Sequence, residues 1–279
     1  MIIEDKKYVL ITGCSFGGIG YATARILQDM GYFVIATARD EEDVILLKNE
    51  GFTSFLLDLK DKKTIDKAIK ETLQITGNKL YALFNNGGYG QLGALEDLST
   101  KALREQFETN LFGYHRVIKK VLPIMKAQGY GKIINHSSIL GLVSLRFRGA
   151  YQASKYALEG YSDTLRLELE GTGISVSVIN TGPVESNFRT NAIKNFYETV
   201  DTQNSRFKDV YADKIENRKK SGFSLPASSV AEVVYQILKS NKPKPRYYVT
   251  KASYILAYAK KVLSTKLNHK LWMAISDRE

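Results

Sequence analysis

Tyr151 and Lys155 lie four residues apart, a spacing that puts both side chains on one face of a helix. An unperturbed phenol titrates near pH ~10, too high to act as a base near neutrality. A neighbouring ammonium favours the phenolate, so the pair suits proton transfer at a substrate oxygen. Ser138 stands thirteen residues upstream, at the end of a strand-like run. Its hydroxyl could hydrogen-bond the same oxygen and steady charge developing on it. The Tyr–Lys pair alone carries little weight, because 17 tyrosines supply enough chances for an accidental surface pair. Ser138 in register with it is what makes a site, with Ser137 as the alternative serine.

A second constellation precedes it. The apolar run Tyr8–Thr12 leads into Thr12-Gly13-Cys14-Ser15-Phe16-Gly17-Gly18-Ile19-Gly20 and then into a helical pattern. Glycines let the backbone turn tightly and approach a pyrophosphate, and the helix N-terminus offers free N–H groups to the anion. A glycine-rich turn is a weak signal alone; its place between the first strand and the first helix strengthens it. The second strand-like run ends Thr37-Ala38-Arg39-Asp40. A guanidinium there suits a ribose 2′-phosphate, whereas a carboxylate would accept from a 2′-hydroxyl. Arg39 therefore favours NADP over NAD, with Asp40 on the ribose as the contrary reading.

Other chemistries fare worse. Strand alternation places His136 and Ser138 on one face, which invites a Ser/His hydrolase. No Gly-x-Ser-x-Gly elbow surrounds Ser138, and the histidine precedes the serine in chain order. Cys14 reads as a small packing residue. With one cysteine, and with His115, His136 and His269 far apart, no metal site is expected.

These residues need elements to position them. The chain has 279 residues, 44% apolar and 25% charged, which is globular composition and not that of a disordered or disulfide-stapled chain. Strand-like runs at Tyr8–Thr12, Tyr32–Thr37, Thr53–Leu57, Leu80–Asn85, Lys132–Ser137 and Ile174–Asn180 alternate with helical patterns at Tyr21–Met30, Asp61–Thr76, Thr100–Ala127 and Ala153–Glu170. Such alternation predicts an α/β fold with a doubly wound parallel sheet in one domain over 1–279. Met1–Lys7 is short and charged, unlike a signal peptide, and no apolar run reaches a membrane-spanning ~18 residues. A cytoplasmic location is expected.

Asn85-Asn86-Gly87-Gly88 after the fourth run, Asn110, Ser138, Tyr151-Gln152-Ala153-Ser154-Lys155 and Gly182-Pro183-Val184 join the glycine turn in a familiar order. Over residues 6–190 the chain resembles the short-chain dehydrogenase/reductase family. Thr12–Ser15, Ala157-Leu158-Glu159-Gly160 and Gly182-Pro183-Val184 are similar to its 17β-hydroxysteroid and retinol dehydrogenase-like branch. The resemblance implies a Rossmann-type sheet of about seven strands and hydride transfer between NADP and a hydrophobic alcohol/ketone or aldehyde. It implies that Tyr151 is the acid/base, that Ser138 holds the substrate oxygen in preference to Ser137, that Lys155 also binds the nicotinamide ribose, and that Asn110 supports a relay water. Gly13, Ser15, Gly18, Ile19, Gly20 and Arg39 are expected on the cofactor, with Asp58 at the adenine. Asn86, Gly87 and Gly88 are expected along its ribose, and Val184 and Ser186 at the carboxamide. Asn85 is expected to stitch strands instead. A homo-oligomer through the Tyr151 helix is also implied. Three departures stand out: Gly17 and Gly18 are adjacent, Gly87 replaces the family's alanine, and Thr181 replaces a proline.

The last third has its own character. The net charge is +11; residues 1–185 carry 22 basic and 21 acidic side chains, and residues 186–279 carry 18 and 8. By resemblance, 187–225 form a substrate lid containing Phe188, Phe196, Tyr197, Phe207, Tyr211 and Phe223, which close over an apolar ligand or serve as core. Residues 252–273 predict a basic amphipathic helix, with Ile255, Ala259, Leu263, Leu267 and Leu271 at four-residue spacing and no acid from 251 to 273. That helix suits either an anionic membrane surface or packing on the domain or a sister subunit with its lysines in water. No nucleic-acid motif accompanies the charge, and an anionic substrate explains it equally well. A membrane-surface keto-lipid reductase and a catalytically silent nucleotide-binding scaffold remain the alternative functions.

Overall fold

Seven strands form one all-parallel sheet in the order β3-β2-β1-β4-β5-β6-β7. They are β1 (Tyr8–Ile11), β2 (Phe33–Ala38), β3 (Thr53–Leu56), β4 (Ala82–Asn85), β5 (Gly131–Ser138), β6 (Ile174–Thr181) and β7 (Arg246–Tyr248). The computed structural model describes residues 6–213 and 224–278, so Phe223 of the expected lid lies outside the described residues. The order reverses between β1 and β4, the place where open α/β sheets leave a crevice at their carboxyl ends.

Alternate residues of each strand serve two cores, as a sheet covered on both faces requires. Leu10 and Ile133 face α3 (Lys62–Thr76), α5 (Gly113–Gln128) and α6 (Gly149–Glu168), packing with Ile65, Val117 and Leu158. Val9, Ile11 and Ile134 face α1 (Ile19–Asp29), α2 (Glu41–Asn49) and α9 (Ser228–Lys239), packing with Leu27, Leu47 and Val234. α3 begins on Asp61, whose side chain accepts from the Lys63 N–H, and ends at Gly77 in the left-handed conformation.

Three elements differ from the sequence expectation in form. The helix predicted over Thr100–Ala127 is α4 (Thr100–Phe107) and α5 joined through a π-helical turn at Glu108–Phe112. The expected lid is partly core. Phe196 of α7 (Phe188–Thr199) and Tyr211 of α8 (Lys208–Tyr211) are buried with Ala94 and Val200, against Phe147 and Phe207. The single helix predicted over 252–273 is two, α10 (Lys251–Val262) and α11 (Thr265–Arg278). Leu263 turns extended between them, and the Asn268 side chain donates to its carbonyl at 3.0 Å, satisfying a helix end the four-residue apolar spacing does not reveal. Among the described residues no helix is long and apolar enough to cross a membrane.

Candidate active site

Ser138 is the last residue of β5, Tyr151 lies in the first turn of α6, and Lys155 follows one turn on. All three are buried. The Tyr151 phenol lies beside Ser138, and burial pushes its pKa up to about 12. Desolvation of the phenolate prevails over the lowering from Ser138, and the Lys155 amine is turned elsewhere. Lys155 donates to the His136 main-chain carbonyl at 2.6 Å, with its nitrogen 5.7 Å from the Tyr151 ring centre. Burial pulls its pKa down to about 7, opposed by the nearby Glu159 carboxylate. The phenol is thus held in its proton-bearing form beside an amine that titrates near neutrality.

Asn110 sits inside the π-helical turn and is fully buried. Its amide donates to the Tyr89 carbonyl at 3.0 Å and to Ser154 Oγ at 3.2 Å, and its oxygen accepts from the Tyr89 N–H at 3.2 Å. Asn110 therefore ties the π turn to the segment after β4 and to the residue beside Lys155. π turns displace a helix locally and recur at functional sites.

The glycine turn has the shape of a cradle. Gly13 is left-handed at φ 72°, and a Cβ there would lie 2.5 Å from Gly87 Cα. A Cβ on Gly20 would lie 2.2 Å from the Gly13 carbonyl oxygen. These contacts press the start of α1 against the loop after β4. Gly18 precedes α1 without a side-chain cap, and no acidic residue occupies its first turn. The N–H groups that begin α1 are free to face an anion. Ser15 supplies the carbonyl that accepts from the Gly18 N–H at 3.0 Å, and Ile19 packs against the core beneath. Gly17 is also left-handed, at φ 71°, and adjoins Asn187, whose side chain donates to the Phe16 carbonyl at 2.9 Å. The extra turn residue thus meets the start of the lid. A dinucleotide fits this backbone, whose closest approaches leave no room for side chains.

Asn86 spends its side chain on the turn itself, donating to the Thr12 and Gly13 carbonyls at 3.1 and 2.9 Å. Thr12 Oγ1 accepts from the Asn86 and Gly87 N–H groups. A methyl at Gly87 would meet Leu59 Cδ1 at 3.0 Å, so this glycine relieves a tight contact. Gly88 abuts Asn110 Oδ1, and Asn85 bonds to Asn135 across β4 and β5, as expected of a strand-stitching residue. Arg39 projects from the end of β2, exposed and paired with Asp40 at 3.2 Å. Asp58 follows β3 and accepts from the Lys60 N–H at 2.9 Å, while Asp61 caps α3.

Beyond β6, Val184 bridges Leu225, and Ser186 Oγ accepts from the Phe188 N–H. Phe188 then lays its ring over Tyr151, centroids 5.4 Å apart, and occupies the space where a Gly90 side chain would lie. The structure brings Asn110, Ser138, Tyr151 and Lys155 together where β5 meets α6, and His136 links them to Asn86 beside the glycine turn. Arg39 and Asp58 stand at the ends of β2 and β3.

Three participants escape a reading by motif. His136 links Asn86 Oδ1 at 3.0 Å to Thr181 Oγ1 at 3.2 Å, and burial with the Lys155 charge drives its pKa down to about 3. It is a neutral strut between the β4 and β6 ends, bonded to the threonine that replaces proline. Thr250 and Ser253, at the start of α10, press on Gly182, where a Cβ would lie 2.2 Å from Thr250 Oγ1. Their only sequence signal is the preference of threonine for a helix start. Cys14 is buried with its thiol pushed up to about 12, an inert packing group. Among the described residues no His/Cys/Asp/Glu cluster could hold a metal.

Comparison with known proteins agrees. The family model for short chain dehydrogenases matches residues 7–195. An uncharacterized oxidoreductase, YbbO, of Escherichia coli (strain K12) is 39% identical over 266 residues, covering 95% of this chain and 94% of its own. An NADPH-dependent 1-acyldihydroxyacetone phosphate reductase of Schizosaccharomyces pombe is 33% identical, covering 77% of this chain and 73% of its own. The crystal structure of a short-chain dehydrogenase from Streptomyces avermitilis superposes with TM-score 0.79 at 27% identity, covering 98% of both chains. The chain belongs to the short-chain dehydrogenase family and is an NAD(P)-dependent dehydrogenase/reductase.

Proposed function

We propose that this protein reduces the carbonyl of a hydrophobic ketone or aldehyde at the expense of NADPH, with Tyr151 giving the proton. The observation that carries the reading is the buried Tyr151 phenol, set beside Ser138 and with Lys155 Nζ 5.7 Å from its ring centre. When bound, the dinucleotide supplies hydride to the carbonyl carbon. The chain's residues do the rest. Ser138 and Tyr151 both address the substrate oxygen, Ser138 steadying its charge and Tyr151 protonating it. Lys155, whose nitrogen already donates to a carbonyl, holds the nicotinamide ribose and recharges Tyr151. The π turn at Asn110 supports the water that connects Lys155 with solvent. Gly13, Ser15, Gly18, Ile19 and Gly20 cradle the pyrophosphate. Asp58, Asn86, Gly87 and Gly88 line the adenosine side, and Val184 and Ser186 reach the carboxamide.

Arg39 supports NADPH in preference to NADH. It is exposed, and its ion pair with Asp40 is of the surface kind worth ~0–1 kcal/mol, which a phosphate dianion outbids. The apolar cover supplied by Phe188 supports a hydrophobic substrate. The name of the fission-yeast relative, an NADPH-dependent reductase of an acylated ketone phosphate, points to a lipid ketone and suits the basic last third. The test is NADPH oxidation with long-chain ketones and acyl ketone phosphates. Turnover with NADPH well above that with NADH supports the reading; turnover only with NADH, or NADPH binding without turnover of any carbonyl, removes it.

A further inference from the structure

The two C-terminal helices have two unlike faces. Inward, Ala257 and Trp272 are buried with Ile139 and Val143, and Leu256, Leu271 and Ile275 pack beside them. Ile139–Gly141 is the 3-10 turn that follows Ser138 directly, so α10 and α11 rest on the loop behind the catalytic serine. The four-residue apolar spacing thus finds its partner within the domain.

That packing leaves a second apolar stripe largely in water, touched only where Tyr248 meets the edge of Tyr254 at 5.2 Å among the described residues. Tyr254, Ile255, Tyr258 and Val262 of α10 point to solvent, with 58%, 66%, 68% and 58% of their surfaces exposed. At ~100° per residue the four fall within an arc of ~100° on the helix, and buried Ser253 lies on the other side. Leu267 of α11 adds another exposed apolar side chain. Lys251, Lys260, Lys261, Lys266 and Lys270 are all exposed on the same two helices, and the sequence from 251 to 273 contains no acid.

We propose that this face docks the protein in plane on an anionic lipid surface. Aliphatic groups and two tyrosines at the interface, with Lys251 and Lys261 on the same side of α10 to meet anionic headgroups, match that surface in both polarity and charge. A second copy of the same chain is a poor match, because a self-complementary contact would bring ten lysines of one sign together. Nucleic acid would meet the lysines but strand the aliphatic stripe in water. Docking stands independently of catalysis. That it brings the candidate site to a ketone dissolved in the membrane rests on the proposed function.

The test is co-sedimentation of the full-length protein with phosphatidylcholine vesicles, with and without phosphatidylglycerol, at low and high salt. We expect binding to the anionic vesicles, about tenfold weaker on neutral ones, and falling with salt. The double variants Ile255→Glu/Tyr258→Glu and Lys251→Glu/Lys261→Glu should each lose it while retaining wild-type NADPH binding and turnover of a water-soluble ketone. All four positions are exposed and none belongs to the candidate site, so the fold should survive. Wild-type protein left in the supernatant at low salt would overturn the proposal. So would variants that pellet like wild type, or a concentration-dependent dimer abolished by Ile255→Glu/Tyr258→Glu. Failure of the carbonyl assay with binding intact would remove the proposed reduction and leave the docking surface standing.

Discussion

Lys155 donates to the main-chain carbonyl of His136 at 2.6 Å, and this bond fastens the first turns of α6 to the end of β5. The residue that lends the carbonyl uses its ring to join Asn86 and Thr181. One histidine therefore contacts α6 through its backbone, and Asn86 and Thr181 through its side chain. The strut is made of neutral groups, so its strength depends on pH.

His136 normally titrates near 6.5 and in the fold near 3. Between those values the unfolded chain binds more protons than the folded one, so stability falls as pH drops from about 6.5 toward 3. Replacing His136 with Ile removes this site's share of the slope. Urea midpoints at pH 7 and pH 5 should lie closer together in the variant than in wild type. At pH 7 the variant should be weaker by about 1–3 kcal/mol, because Thr181 and Asn86 lose their partner.

Arg39→Ala should weaken NADPH binding by roughly ten- to hundredfold, the loss of a charge-assisted contact of ~1.5–3 kcal/mol. NADH binding should be unchanged, since NADH has no phosphate at that ribose. Fluorescence titration of both cofactors checks it; equal weakening of both would assign Arg39 a structural role.

Gly13→Ala should cost both stability and cofactor affinity. The new methyl would lie 2.5 Å from Gly87 Cα, backbone against backbone, at a residue with φ 72°. A loss of about 1–3 kcal/mol in folding stability is expected, with dinucleotide binding abolished. Chemical denaturation and cofactor titration of the same preparation measure the two effects separately.

Phe188→Ala should remove the cover over Tyr151, whose ring centre lies 5.4 Å from that of Phe188. The kcat/KM for an apolar ketone should fall about tenfold or more, while the NADPH Kd moves little, because exclusion of water acts on the reacting centre. Steady-state kinetics with long- and short-chain ketones measure it, and the long-chain substrate should suffer more.

Much of this site is legible in the sequence because it is local. Tyr151 and Lys155 are set by helix spacing, Ser138 by a strand end, and the cradle by glycines between a strand and a helix. What stayed hidden is tertiary. Glycine at position 87 matters because Gly13 approaches it, and no periodicity announces that approach. The π turn around Asn110 reads as ordinary helix, since its apolar spacing continues into α5. The break at Leu263 is hidden for the same reason: Leu263 and Leu267 keep the stripe in register, and only the Asn268–Leu263 bond shows the chain turning. The charge of the last third was plain in sequence, but which apolar side chains remain in water beside it was settled by packing against Ile139 and Val143.

In the proposed reaction Tyr151 hands a proton to the oxygen of a carbonyl reduced by NADPH. The most direct measurement compares wild type with Tyr151→Phe, using NADPH deuterated at its transferable hydride and a long-chain ketone. Label at the new carbinol carbon and NADPH affinity are followed together. Labelled alcohol from wild type, a rate lower by about 10²–10⁴-fold in the variant, and unchanged NADPH binding are expected. Labelled alcohol formed at the wild-type rate by Tyr151→Phe would contradict that proton transfer.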